Sequence, residues 1–116
     1  MTEFRTSFEV GINSSLLIKY FKSLVNSIFK ILPMRETNEK SLMKYIRSLQ
    51  IELAGCKEVV EAVKYDSRFL SIISILQYLY DHPETEIESF RREIFRAISI
   101  CNKLSEKYAT SEDTAK

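Results

Sequence analysis

The sequence predicts an all-α fold, an antiparallel four-helix bundle with an extended N-terminal arm. Two observations carry that expectation. Apolar residues recur at steps of three and four over separate stretches, the period of helices with one buried face. Short breaks separate the stretches, and the two prolines, Pro33 and Pro83, fall in them. Two Gly, two Pro and 45% hydrophobic residues make the chain neither disordered nor fibrous, and 116 residues suffice for one unstapled core.

Residues 1–12 place Phe4, Phe8, Val10 and Ile12 at even positions, the alternation of a strand with one apolar face. A lone strand in a helical chain has no partner within it. The segment is therefore expected as an arm lying along its own bundle, with pairing to another chain's strand as the alternative. The bundle itself is assigned to residues 13–108.

The first helix is expected to begin after Asn13 or Ser14, either of which can cap. It should end before Pro33, which disfavours helical geometry at Leu32. Leu17, Tyr20, Phe21, Leu24, Val25, Ile28 and Leu32 form its stripe, and Lys19, Lys22 and Lys30 occupy the other side. Residues 33–38 are read as a loop.

The second helix starts near Asn38. Leu42, Ile46, Leu49, Leu53, Cys56, Val60 and Val63 form an unbroken heptad stripe. Glycine costs a helix interior about 1 kcal/mol, so Gly55 is expected to mark a close neighbour rather than a stop. Asp66 or Ser67 should cap the third helix.

That third helix, Arg68 to Tyr80, is apolar on nearly every side, with Ser71, Ser74 and Gln77 as a thin polar line. At about 1.5–3 kcal/mol per large buried apolar side chain, it is expected in the middle of the bundle. Phe69, Ile72, Ile73 and Leu76 are assigned to the core, with Leu49, Leu53, Ile94 and Ile98. After a turn at residues 81–84, Thr85 and Glu88 have the spacing of a capping box. A second heptad follows at Ile87, Phe90, Ile94, Ala97, Cys101, Leu104 and Tyr108, with Phe95 and Ile98 widening the stripe. Residues 109–116 are small and polar and are expected to form a flexible tail.

Reactive groups are scarce. The one histidine, His82, stands in a turn, and Cys56 and Cys101 are far apart, so the sequence has no zinc pattern. Glu84, Glu86 and Glu88 sit where they favour the positive end of a helix. There is no Gly-rich phosphate loop and no nucleophile elbow. The expectation is a non-enzymatic protein with no cofactor, no metal and no small-molecule substrate. Met1 to Glu9 lacks the pattern of a secretory leader, and no run reaches about 20 apolar residues. With two lone cysteines, this predicts reduced thiols in the cytoplasm and no membrane span.

Charge is divided unevenly. Residues 1–50 carry eight basic and four acidic residues, net +4, and residues 51–116 carry nine and twelve, net −3. Two functional readings follow. The first is a protein-interaction module, a small subunit or homo-oligomer, because the helices carry more apolar surface than a bundle core requires. Tyr45, Tyr78 and Tyr80 are its candidate interface residues. A bundle that neutralises one protein, as immunity proteins and antitoxins do, is one form of it, by architectural analogy alone. The second is a nucleic-acid-binding small subunit using Lys40, Lys44 and Arg47 on one helix and Arg92, Arg96 and Lys103 on another. Glu39, Glu88 and Glu93 are interspersed with those cations and weaken the second reading.

Overall fold

The structure, a computed structural model, describes the backbone of residues 3–5 and 11–114 and the side chains of 15–58, 60 and 63–108. The chain is all-α apart from a small N-terminal hairpin. Strands β1 (Glu3–Arg5) and β2 (Gly11–Asn13) pair antiparallel with Phe4 opposite Ile12. The arm thus finds its partner within the chain, contrary to the reading of a lone strand, because two short runs share the alternation that one strand would have. Phe8 and Val10 lie outside the described residues.

Helix α1 (Ser14–Phe29) and the short α2 (Ile31–Glu36) divide the first predicted helix at Lys30. Proline has no N–H, and its ring collides with the carbonyl four residues back. Restarting at Ile31 puts Pro33 in a first turn, where that N–H would have no helical partner anyway. The segment expected as a loop is therefore largely helical.

Helix α3 (Leu42–Val59) runs straight through Gly55. Nothing lies within 4 Å of where a Cβ would stand there, so the expected close neighbour is absent. The helix stops instead at Val60, whose backbone is extended (φ −111°, ψ 102°), and the one-turn α4 (Glu61–Lys64) follows. Adjacent β-branched residues Val59 and Val60 are poor helix formers. The heptad stripe survives the break, with Val60 and Val63 buried in line with Leu42, Ile46, Leu49 and Leu53.

Helix α5 (Ser67–Asp81) starts on the expected cap. The Asp66 carboxylate accepts from the N–H of Arg68 at 2.9 Å and of Phe69 at 3.4 Å. Helix α6 (Ile87–Thr114) begins without the expected capping box, because its first residue is Ile87 and Glu86, not Thr85, stands before it; the Thr85 hydroxyl donates to the His82 carbonyl at 2.7 Å in the preceding turn. Its backbone stays helical through Thr114, past the expected start of the tail. No Gly or Pro follows Pro83 to stop it, and residues 115–116 lie outside the described ones.

Cross-helix contacts fix the topology. Tyr20 reaches Glu52 and Tyr45 reaches Ser27, so α1 and α3 run antiparallel. Gln50 with Gln77 and Arg47 with Tyr80 set α3 against α5 in the same way. Asp66 meets Lys107 where α5 begins and α6 is ending. Phe21 meets Tyr108 and Phe29 meets Phe95, which closes the bundle between α1 and α6.

The most extensive helix pair is α1 with α6, and α6 also touches α2 and α5. The helix around which the chain is organised is α6 and not α5, as the sequence suggested. One side of α5 supplies Phe69, Ile72, Ile75, Leu76 and Leu79 to the core, while Leu70 is exposed. Ile73 and Ile98 are only partly buried, at the core's edge.

Candidate functional site

The three candidate tyrosines do not form one surface. The Tyr45 hydroxyl donates to the Ser27 carbonyl at 2.7 Å, and burial pushes its ionisation upward. It is a strut between α3 and α1. Tyr80 packs against the core and lies beneath the Arg47 guanidinium, 5.4 Å from its ring centroid. Tyr78 alone is open, at 46% exposure. Its ring stacks on the His82 imidazole at 4.3 Å, and His82 Nδ1 lies 2.9 Å from the Tyr78 carbonyl. With Ser74, Ile75, Glu93 and Arg96 it lines a shallow hollow of about 380 Å³ between α5 and α6.

The candidate cations are also divided. Lys40, Lys44 and Arg47 are exposed on and beside the start of α3, and Arg92, Arg96 and Lys103 along α6, with α5 between the two helices. Arg96 is held by Glu93 at 2.9 Å, and Arg47 is engaged by Tyr80 and by Gln50. Among the described residues, Arg92 and Lys103 make no ion pair.

A pair that the sequence reading passed over stands out on the α1–α6 seam. Phe29 and Phe95 meet edge to face, centroids 5.9 Å apart and planes at 79°. They are 48% and 46% exposed, on the flank of the two helices that faces away from the core. Phe95 appeared in the sequence only as a widening of the stripe. The available signal was helical angle. At about 100° per residue, Phe29 stands about 80° round the helix from the buried Phe21. The charge around it also has one sign: from Ser14 to Arg35 the chain has four basic residues, Lys19, Lys22, Lys30 and Arg35, and no acidic one. Tyr65, 81% exposed after α4, and Ile51, 64% exposed on α3, were likewise not singled out.

The remaining titratable groups serve packing. Burial pushes the Cys101 thiol up to about 12, and burial together with the Glu52 charge pushes Cys56 up to about 11. Thiols so shifted are almost wholly protonated at neutral pH. Burial and its hydrogen bond to Glu52 also raise Tyr20. Among the described residues no three His, Cys, Asp or Glu side chains converge as a metal ion would require, and no helix is long and apolar enough to cross a membrane.

Comparison of the chain with protein-family models, with curated proteins and with solved structures returned no match.

Proposed function

We propose that this chain is a non-enzymatic protein-interaction module of the cytoplasm, a small helical subunit that binds or regulates a protein partner. The observation that carries the reading is the Phe29–Phe95 pair. Two large aromatic rings remain about half exposed on a bundle whose core already contains Phe21, Phe69 and Phe90 fully buried. Aromatic side chains bury 150–250 Å² each and dominate interface energetics, so leaving two of them together in water forgoes stability that a partner would recover. Tyr78, beside the α5–α6 hollow, adds a further accessible aromatic on another face.

The nucleic-acid reading is second. Arg92 and Lys103, which make no ion pair among the described residues, favour it. The tie between Arg96 and Glu93 and the separation of the α3 and α6 cations count against it.

The discriminating experiment isolates the tagged full chain from the cells that make it, washes at low and near-molar salt, and analyses protein and nucleic acid together. Phosphate contacts weaken steeply as salt rises, whereas apolar association does not. The expected result is a protein that stays bound through the high-salt wash. Recovery of nucleic acid alone, lost with Arg92→Glu plus Arg96→Glu in a folded chain, reverses the order of the two readings.

A further inference from the structure

We infer that the outer seam of α1 and α6 receives an acidic amphipathic helix from the partner protein, with Phe29 and Phe95 against its apolar face. The inference deepens the protein-interaction reading and rests on it.

Shape points to a helix. Two antiparallel helices in extensive contact present, along their outer seam, rows of side chains across which a third helix can pack with side chains at i, i+3, i+4 and i+7. The aromatic pair stands in that seam. Along α1, Asn26 lies about one turn and Lys22 two turns before Phe29; along α6, Ser99 lies one turn and Asn102 two turns after Phe95. The antiparallel register carries these polar residues in the same direction from the pair, so an apolar centre is continued by a hydrogen-bonding strip.

Charge points to acids. Lys19 and Lys22 are exposed on α1, which carries no acidic residue, Lys30 is exposed just after it, and Arg92 lies one turn before Phe95. Glu88 and Glu106, the exposed acids on the Phe95 side of α6, stand about two turns before and three turns after it. The match is therefore a helix bearing Glu and Asp on the flank that meets α1.

The same charges disfavour a second copy, because a two-fold pairing of this seam would set Lys19, Lys22 and Lys30 against themselves. The edge-to-face tilt, at 79°, turns one ring's edge onto the other's face and leaves no flat pair of rings for stacked bases.

The test measures fluorescence anisotropy of the full chain with three labelled probes. One is a peptide of about five helical turns with a Leu stripe and Glu on its other faces. The second is the same peptide with Lys for Glu, and the third is a single-stranded DNA of similar length. The Glu peptide should bind, the Lys peptide should not, and DNA should bind more weakly than the Glu peptide at physiological salt. Phe29→Ala with Phe95→Ala should weaken Glu-peptide binding at least about 30-fold, the effect of a hot-spot residue. Lys19→Glu with Lys22→Glu and Lys30→Glu changes only exposed residues and should switch preference to the Lys peptide. Ile51→Ala, at an exposed position on α3, should leave binding unchanged, and circular dichroism checks that each variant keeps its helix content.

Glu-peptide binding that is absent, or indifferent to the phenylalanine and lysine substitutions in folded variants, overturns the inference. So does a preference for the DNA probe that disappears at high salt. A partner from the cell that survives high salt, is lost with Tyr78→Ala and tolerates the seam substitutions would keep the interaction reading and move the site to the α5–α6 hollow. Isolation of nucleic acid with no protein would remove both.

Discussion

The helix pair α1–α6 makes two aromatic contacts with opposite fates. On its inner side Phe21 stacks on Tyr108 at 5.8 Å and meets Phe69 of α5 at 6.1 Å, all three almost fully buried. On its outer side Phe29 and Phe95 meet at a similar 5.9 Å and remain about half in water. The residue types and separations are alike. The difference is angular: a third helix closes the inner contact, and nothing among the described residues closes the outer one. A ring's contribution to the fold therefore depends on which side of the seam it occupies.

The widest separation should come from deleting one ring on each side. Phe21→Ala removes a ring with three aromatic neighbours and should cost about 3–5 kcal/mol. Phe95→Ala, already half solvated, should cost less than about 1.5 kcal/mol. Urea denaturation of both variants measures the gap, and equal losses would break the comparison.

The inner side is clamped where Asp66 binds Lys107 at 2.6 Å while capping α5, its side chain only 5% exposed. Asp66→Ala should cost about 1–2 kcal/mol, the upper range for a lost cap. Burial alone would raise the Asp66 carboxyl, but the Lys107 ammonium and the N–H groups of Arg68 and Phe69 outweigh it and hold it below the usual carboxylate range. A lowered native value stabilises the fold above the unfolded carboxyl's ~3.9. That stability is lost as pH falls through the lowered native value. The difference between the parent chain and Asp66→Asn should accordingly be full near neutrality and shrink in acid, as urea midpoints against pH would record.

Away from both rings, Tyr45→Phe deletes the bond to Ser27 that ties α3 to α1. It should cost about 1 kcal/mol in thermal or urea melts, with no change in probe binding at the outer seam. The smallest effect is a gain. Gly55 is helical and exposed, with no atom within 4 Å of where a Cβ would stand. Gly55→Ala should therefore stabilise by about 0.5–1 kcal/mol. A loss there would mean that α3 does need a close approach at this point.

Much of the fold was legible because burial follows helical period. Both heptads stand in the sequence residue by residue, and their members are buried, apart from the partly buried Cys56 and Ile87. The place of Asp66 and Ser67 before an apolar run marks both as candidate caps, and Asp66 is the one that accepts from Arg68 and Phe69. The breaks were harder to read. A proline can end a helix or begin one, and the alternation from Phe4 to Ile12 fits one strand or two.

The candidate site was the least legible part. Tyr45, Tyr78 and Tyr80 share a residue type, but one is a strut, one is open and one is covered by an arginine. Nothing in the spacing of a single helix says which neighbour takes a hydroxyl.

The sequence by itself determined the helices, their inward stripes and the unbroken basic character of residues 14–35, because these depend on local period and composition. Only the tertiary structure decided that α6 is the central helix, that the two N-terminal strands pair with each other, and that Phe29 meets Phe95 on the outside. Those outcomes depend on the order in which helices surround one another, and contacts between residues 66 positions apart leave no local period to read.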